Sequence, residues 1–210
     1  MMKMDAGDVE KLFTRGDGQF AFARWGRAIA PVVFGVEDTT LGVIKGAIEA
    51  VCQLAGHEMA DGDAELGSNF MWFFFQEWDE LLDVPRLDDM VPNLGPLVER
   101  LKDVDANQYR VFRFDNAGAI KACFVFLRMD ANLEAVSADT LALSQVSQSI
   151  LLWSDTAFQN QSPLALVGET TVVRPEIGQL ISAAYDPFLP VSTKDPTHAL
   201  RLSARIGVMQ

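Results

Sequence analysis

Apolar positions along this chain change spacing several times, and each change marks an element. From Thr39 to Ala55, the residues Leu41, Ile44, Ile48, Val51, Cys52 and Ala55 fall on one face of a helix. Asp38 suits the N-cap, and Gly56 suits the left-handed residue just beyond the end. Gly42, Gly46 and Ala50 share a neighbouring strip. Each glycine lowers helix propensity by about 1 kcal/mol relative to alanine, so the strip predicts close approach of this helix to a sheet. Asn69 to Phe75 is too short for a typical helix and too uniformly apolar for an edge strand. It predicts a central strand covered on both faces.

Weaker patterns fill the rest. Gln19 to Val36 reads as extended chain, with Phe20 and Phe22 alternating, a break at Trp25-Gly26, and a β-rich Val32-Val33-Phe34. Glu77 to Leu82 and Leu94 to Lys102 read as short helical pieces, punctuated by Pro85, Pro92 and Pro96. Gln108 to Phe114 and Ile120 to Met129 flank Asp115-Asn116-Ala117-Gly118, which predicts a hairpin whose second strand lies inside the sheet. A second long helix is predicted from Ala138 to Trp153, with Ser137 as N-cap and Leu143, Val146, Ile150 and Trp153 as its core stripe. Residues 154–173 read as loop. A helix then opens at Pro175, carrying Ile177, Leu180, Ile181 and Ala184, and a short one spans His198 to Arg205.

No linker interrupts this order. The pattern predicts one α+β domain over residues 1–210, with a mixed sheet of about four to five strands packed by two long helices. Within it, residues 1–18 read as flexible, 19–153 as the sheet and main helices, and 154–210 as loops and short helices.

Composition narrows the function classes. With 17 basic against 29 acidic residues the formal charge is −12, a field that repels phosphate backbones and argues against nucleic acid. Ten carboxylates lie between Glu58 and Asp89 against the single Arg86. Such a run is either a solvated face or a surface for a basic partner or a divalent cation. The amino terminus resembles neither a secretory signal nor a spanning segment, and no apolar run is long enough to cross a bilayer. Cys52 and Cys123 sit in apolar surroundings, which predicts two buried free thiols and a cytoplasmic setting.

Candidate chemistry is sparse. His57-Glu58-Met59-Ala60-Asp61 superficially matches the two-histidine zinc motif, but that motif needs a continuous helix and Gly56 should end the helix just before it. His57 is then expected to be an exposed histidine beyond a helix end, its charged form mildly favoured. No Cys-x-x-Cys pair, phosphate loop or nucleophile elbow is present, and Asp61 to Glu65 lacks calcium-loop spacing. No metal or other cofactor is expected. Ser144, Gln145 and Gln148 make a polar patch on the second long helix, with Asp155 just after its end. The patch is either an exposed helix face or the floor of a cleft.

At this helix the chain resembles a bacterial family of unknown function, number 2927, related to zinc-peptidase-like (zincin) folds. The resemblance runs from Trp25 before a strand through the long helix ending in Gly56 and the Asn69 strand. It then takes in Leu143 to Asp155 and Tyr185-Asp186-Pro187. The family's helix carries Glu-Glu-x-x-Gln followed by Asp; here Ser144-Gln145-Val146-Ser147-Gln148 keeps only Gln148 and the later Asp155. The resemblance implies a zincin-like layout and argues against peptidase chemistry, because glutamine cannot replace a carboxylate beside metal-bound water. The expected activity is therefore non-catalytic binding of a protein or peptide, along an exposed sheet edge. The alternatives are a hydrolase using Glu77, Asp79 and Glu80 with Asp155, or a structural subunit of an assembly.

Overall fold

The computed structural model describes residues 4–208, and its first element lies in the stretch read from sequence as flexible. Helix α1 (Ala6–Phe13) opens on a reciprocal cap in which the Asp8 N–H donates to the Asp5 carboxylate at 2.9 Å. Its Val9 and Phe13 are fully buried, and Phe13 stacks on Trp153 with ring centroids 5.2 Å apart. Residues 1–3 of that stretch fall outside the described residues.

Two short strands follow, β1 (Phe22–Ala23) and β2 (Pro31–Phe34), and then the long helix α2 (Asp38–Ala55). The helix starts one residue earlier than its pattern suggests, with Glu37 in the cap position. It ends at Gly56, whose φ of 64° is the left-handed conformation only glycine adopts freely. Its apolar face is buried as expected, but Gly42, Gly46 and Ala50 are exposed, and a Cβ on either glycine would meet nothing within 4 Å. The glycine strip therefore faces solvent and not the sheet.

Strand β3 (Phe70–Phe75) leads into a 3-10 turn at Trp78–Asp83, helix α3 (Leu87–Met90) and helix α4 (Leu94–Asp103). Strands β4 (Gln108–Phe114) and β5 (Ile120–Arg128) form the hairpin, turning through Gly118 at φ 78°. After the single turn α5 (Ala131–Glu134) comes α6 (Ala138–Ser149), with the Ser137 hydroxyl accepting from the Thr140 N–H.

The chain leaves α6 four residues before Trp153, because Leu152 N–H donates to Ala23 carbonyl and Arg24 bridges Leu151. Tertiary pairing overrides helical spacing there, and the buried stripe is Leu141, Ala142, Val146 and Ile150. The predicted loop hides a second hairpin, β6 (Leu164–Val167) with β7 (Thr170–Val173), closed by Gly168-Glu169. Helix α7 (Pro175–Ala184), strand β8 (Ser192–Thr193) paired to β1, and helix α8 (His198–Val208) complete the chain.

The main sheet has the order β2-β3-β5-β4, with β2, β3 and β5 parallel and β4 antiparallel to β5. The fold is thus α+β with a mixed four-stranded sheet, and both inner strands are the ones whose sequences are apolar at nearly every position. Alternation sends Phe70, Trp72, Cys123, Val125 and Leu127 toward α2 and α6. It sends Met71, Phe73, Phe75, Phe124 and Phe126 to the opposite layer, built from the 3-10 turn, α3 and α4. Phe73 and Phe124 therefore do not join the two long helices, although both are buried. No helix of the described residues is long and apolar enough to cross a membrane.

Candidate functional site

The hydrogen-bond phase of β5 decides what β4 has left to offer. Cys123 N–H donates to Asn69 carbonyl at 2.9 Å, toward β3. The intervening residues Ala122, Phe124 and Phe126 therefore turn their backbone groups toward β4, where their register partners are Arg113, Val111 and Tyr109. Arg128 N–H reaches Asn107 carbonyl at 2.9 Å in the same phase. Gln108, Arg110 and Phe112 then point their N–H and C=O groups away from the sheet. Among the described residues none of these six backbone groups has a hydrogen-bond partner.

The opposite edge is built differently. Ala30 carbonyl accepts from Asn69 and Phe70 N–H, so the next residue of β2 faces outward, and that residue is Pro31. Proline has no N–H to offer, which blunts this edge.

The side chains of Gln108, Arg110 and Phe112 lean toward α6, where they meet the polar patch. Gln145 is buried, its amide donating to Gln108 Oε1 at 2.8 Å while its own Oε1 accepts from Arg110 Nη2. Gln148 donates to Ser144 Oγ at 2.9 Å, and both are half-buried. The patch is therefore not an exposed helix face. Asp155 is exposed; the Gly16 N–H, bound to it at 2.9 Å, holds its carboxyl below the usual range, and Ser154 Oγ adds a second hydrogen bond. Of the four sequence-predicted residues, Gln148 and Asp155 line one cavity and Ser144 and Gln145 a second.

The first cavity, about 380 Å³, lies between β4 and the chain leaving α6, and its walls include Arg110, Phe112, Trp153 and Phe158. The second, about 630 Å³, lies between α6 and the β6–β7 hairpin, with Leu141, Val136 and the exposed Leu166 on its walls. Gln108 borders both. Together they flank the open edge with aromatic and aliphatic surface around a few polar groups, the composition of a binding groove.

Arg110 is the residue that sequence reasoning missed. Its Nε is shut away from solvent without a hydrogen-bond partner, and its guanidinium forms no ion pair among the described residues. Burial pushes its pKa down to about 10. The only local signal was its parity with Gln108 and Phe112 along the strand.

Other expected groups take structural roles. His57 is half-buried, with Nε2 at 2.8 Å from Arg27 carbonyl and its ring against Tyr185. Burial lowers its pKa, so the exposed, charge-favoured histidine expected from sequence is not found. In the acidic run, burial acts to raise the pKa of Asp63, but hydrogen bonds from Leu66, Glu65 and Asn69 outweigh it and hold it low. Glu80 caps the turn by accepting from Gln76 and Glu77 N–H, while Asp79 pairs with Lys102 at 3.0 Å. That turn packs on the α3–α4 face of the sheet and Asp155 follows the helix on the other, so Glu77, Asp79 and Glu80 are not brought together with Asp155. Among the described residues no three His, Cys, Asp or Glu side chains gather as a metal-ligand set. No protein-family model, curated protein or solved structure matches the chain.

Proposed function

We propose that this protein is a non-catalytic binding protein that takes an extended segment of a partner protein as an added strand along β4. The observation carrying this reading is the row of unpartnered N–H and C=O groups at Gln108, Arg110 and Phe112, bordered by two cavities. Main-chain pairing supplies affinity in this mode of recognition, and pockets beside alternate side chains supply selectivity. The net charge of −12 disfavours nucleic acid as the partner. Two buried free thiols suit work in the reducing cytoplasm. The likeness to family 2927 enters at α6, where Gln148 and Asp155 line the cavity beside β4. A zincin-like ancestry would explain a groove along that helix with its acidic motif positions replaced by Ser144 and Gln145.

The test is selection of displayed peptides on the immobilised full chain, followed by backbone-amide NMR. Bound peptides should shift the amides of Gln108, Arg110 and Phe112 and slow their hydrogen exchange. Methylating alternate backbone nitrogens of a selected peptide should abolish binding in one phase and spare it in the other. Peptides that bind while leaving these three amides unmoved would refute the reading.

A further inference from the structure

Among the described residues Arg110 has no carboxylate partner, in a chain where acids outnumber bases by 29 to 17. Its two hydrogen bonds go to neutral amide oxygens, Gln108 Oε1 and Gln145 Oε1, and its Nε has no partner among the described residues. A guanidinium has five N–H donors in a planar fork. Here the neutral glutamines orient the fork without neutralising it. A partly buried, unpaired cation whose Nε is shut away from solvent is costly to maintain, and a carboxylate is the group whose geometry the fork fits.

Position selects the source of that carboxylate. Arg110 is the middle of the three outward-facing residues of β4, so a strand added there runs past it on both sides. A chain-terminal carboxylate would end at that point and forfeit half the edge. The residue of the added strand opposite Arg110 presents its side chain on the same face, with Cβ atoms about 5 Å apart. Its neighbours two positions away face Gln108 on one side and Phe112 on the other. Beyond Phe112 the cavity wall continues into Trp153 and Phe158, whose rings lie 5.1 Å apart edge to face. That end of the groove suits an aromatic or aliphatic side chain.

We infer that the segment bound along β4 carries an aspartate or glutamate at its central position, facing Arg110, with an apolar side chain two residues away toward Phe112. This rests on the edge-pairing reading and adds the chemistry of the partner to it.

Capped heptapeptides test it, alternating Thr and Val outside a core with Phe two positions on each side of the centre, so that either strand direction is served. The central residue is Glu, Gln or Lys, and each peptide is titrated into the full chain by amide NMR. The Glu peptide should bind about 10- to 100-fold more tightly than the Gln peptide, the range for a hydrogen bond to a charged group, and the Lys peptide most weakly. Arg110→Gln should bring the Glu and Gln peptides to equal affinity. If that variant does not fold, the peptide series on the parent protein still decides. Equal affinities there, with Gln108, Arg110 and Phe112 amides shifting, overturn the carboxylate and leave edge pairing intact. No shift at these amides with any of the three peptides overturns both.

Discussion

His198 is buried at the start of α8 with its ring centroid 4.4 Å from that of Phe22, and neither ring nitrogen has a partner among the described residues. Burial pushes its pKa down to about 4; Arg201 acts in the same direction and Asp195 against it. A folded-state pKa below the unfolded value of about 6.5 means that the unfolded chain takes up the proton first as pH falls. The neutral ring is accommodated above pH 6.5, and stability drains away as pH drops toward 4. Between about pH 7.5 and pH 5 this one residue should cost about 2 kcal/mol. Chemical denaturation at the two pH values should show His198→Phe losing less stability than the parent by that amount. Equal losses would mean that the ring is solvated or paired in solution.

Helix α2 carries its own prediction. Gly42 and Gly46 sit in exposed helical positions with open space where a Cβ would go, so neither packing nor backbone conformation requires them. Replacing each with alanine should raise stability by about 0.5–1 kcal/mol, read as a higher melting temperature. A fall would reveal a contact made on that strip in solution. The same helix shows what was legible in the sequence. Its buried face, its glycine terminus, the inner strands β3 and β5 and the β4–β5 turn all follow from local periodicity and turn chemistry. The end of α6 did not, because Leu151 and Leu152 pair with Arg24 and Ala23, more than a hundred residues earlier in the chain. The β6–β7 hairpin did carry a readable cue, two β-rich runs separated by Gly168-Glu169. At the candidate site, spacing singled out Ser144, Gln145 and Gln148, but whether they faced solvent depended on β4. Arg110 was invisible because the lack of a counter-ion is a property of the folded neighbourhood and of no sequence window.

At the scale of the whole molecule the sheet divides two apolar clusters, one shared with α1, α2, α6, α7 and α8, the other with the 3-10 turn, α3 and α4. Phe124 belongs to the smaller cluster and is almost fully buried. Phe124→Ala should cost about 3–5 kcal/mol in chemical denaturation, and a variant that melts like the parent would refute its placement against α4. The smaller cluster's helical layer comes from one unbroken stretch of chain between β3 and β4, made of short helices and held by few turns of backbone. Such a stretch can open as a unit while the hairpin and the long helices stay folded. The species so formed would bare Met71, Phe73, Phe75, Phe124 and Phe126 together on one face of an otherwise native sheet. Its population, set by local opening apart from global unfolding, would then govern how the protein meets proteases and chaperones that recognise apolar surface.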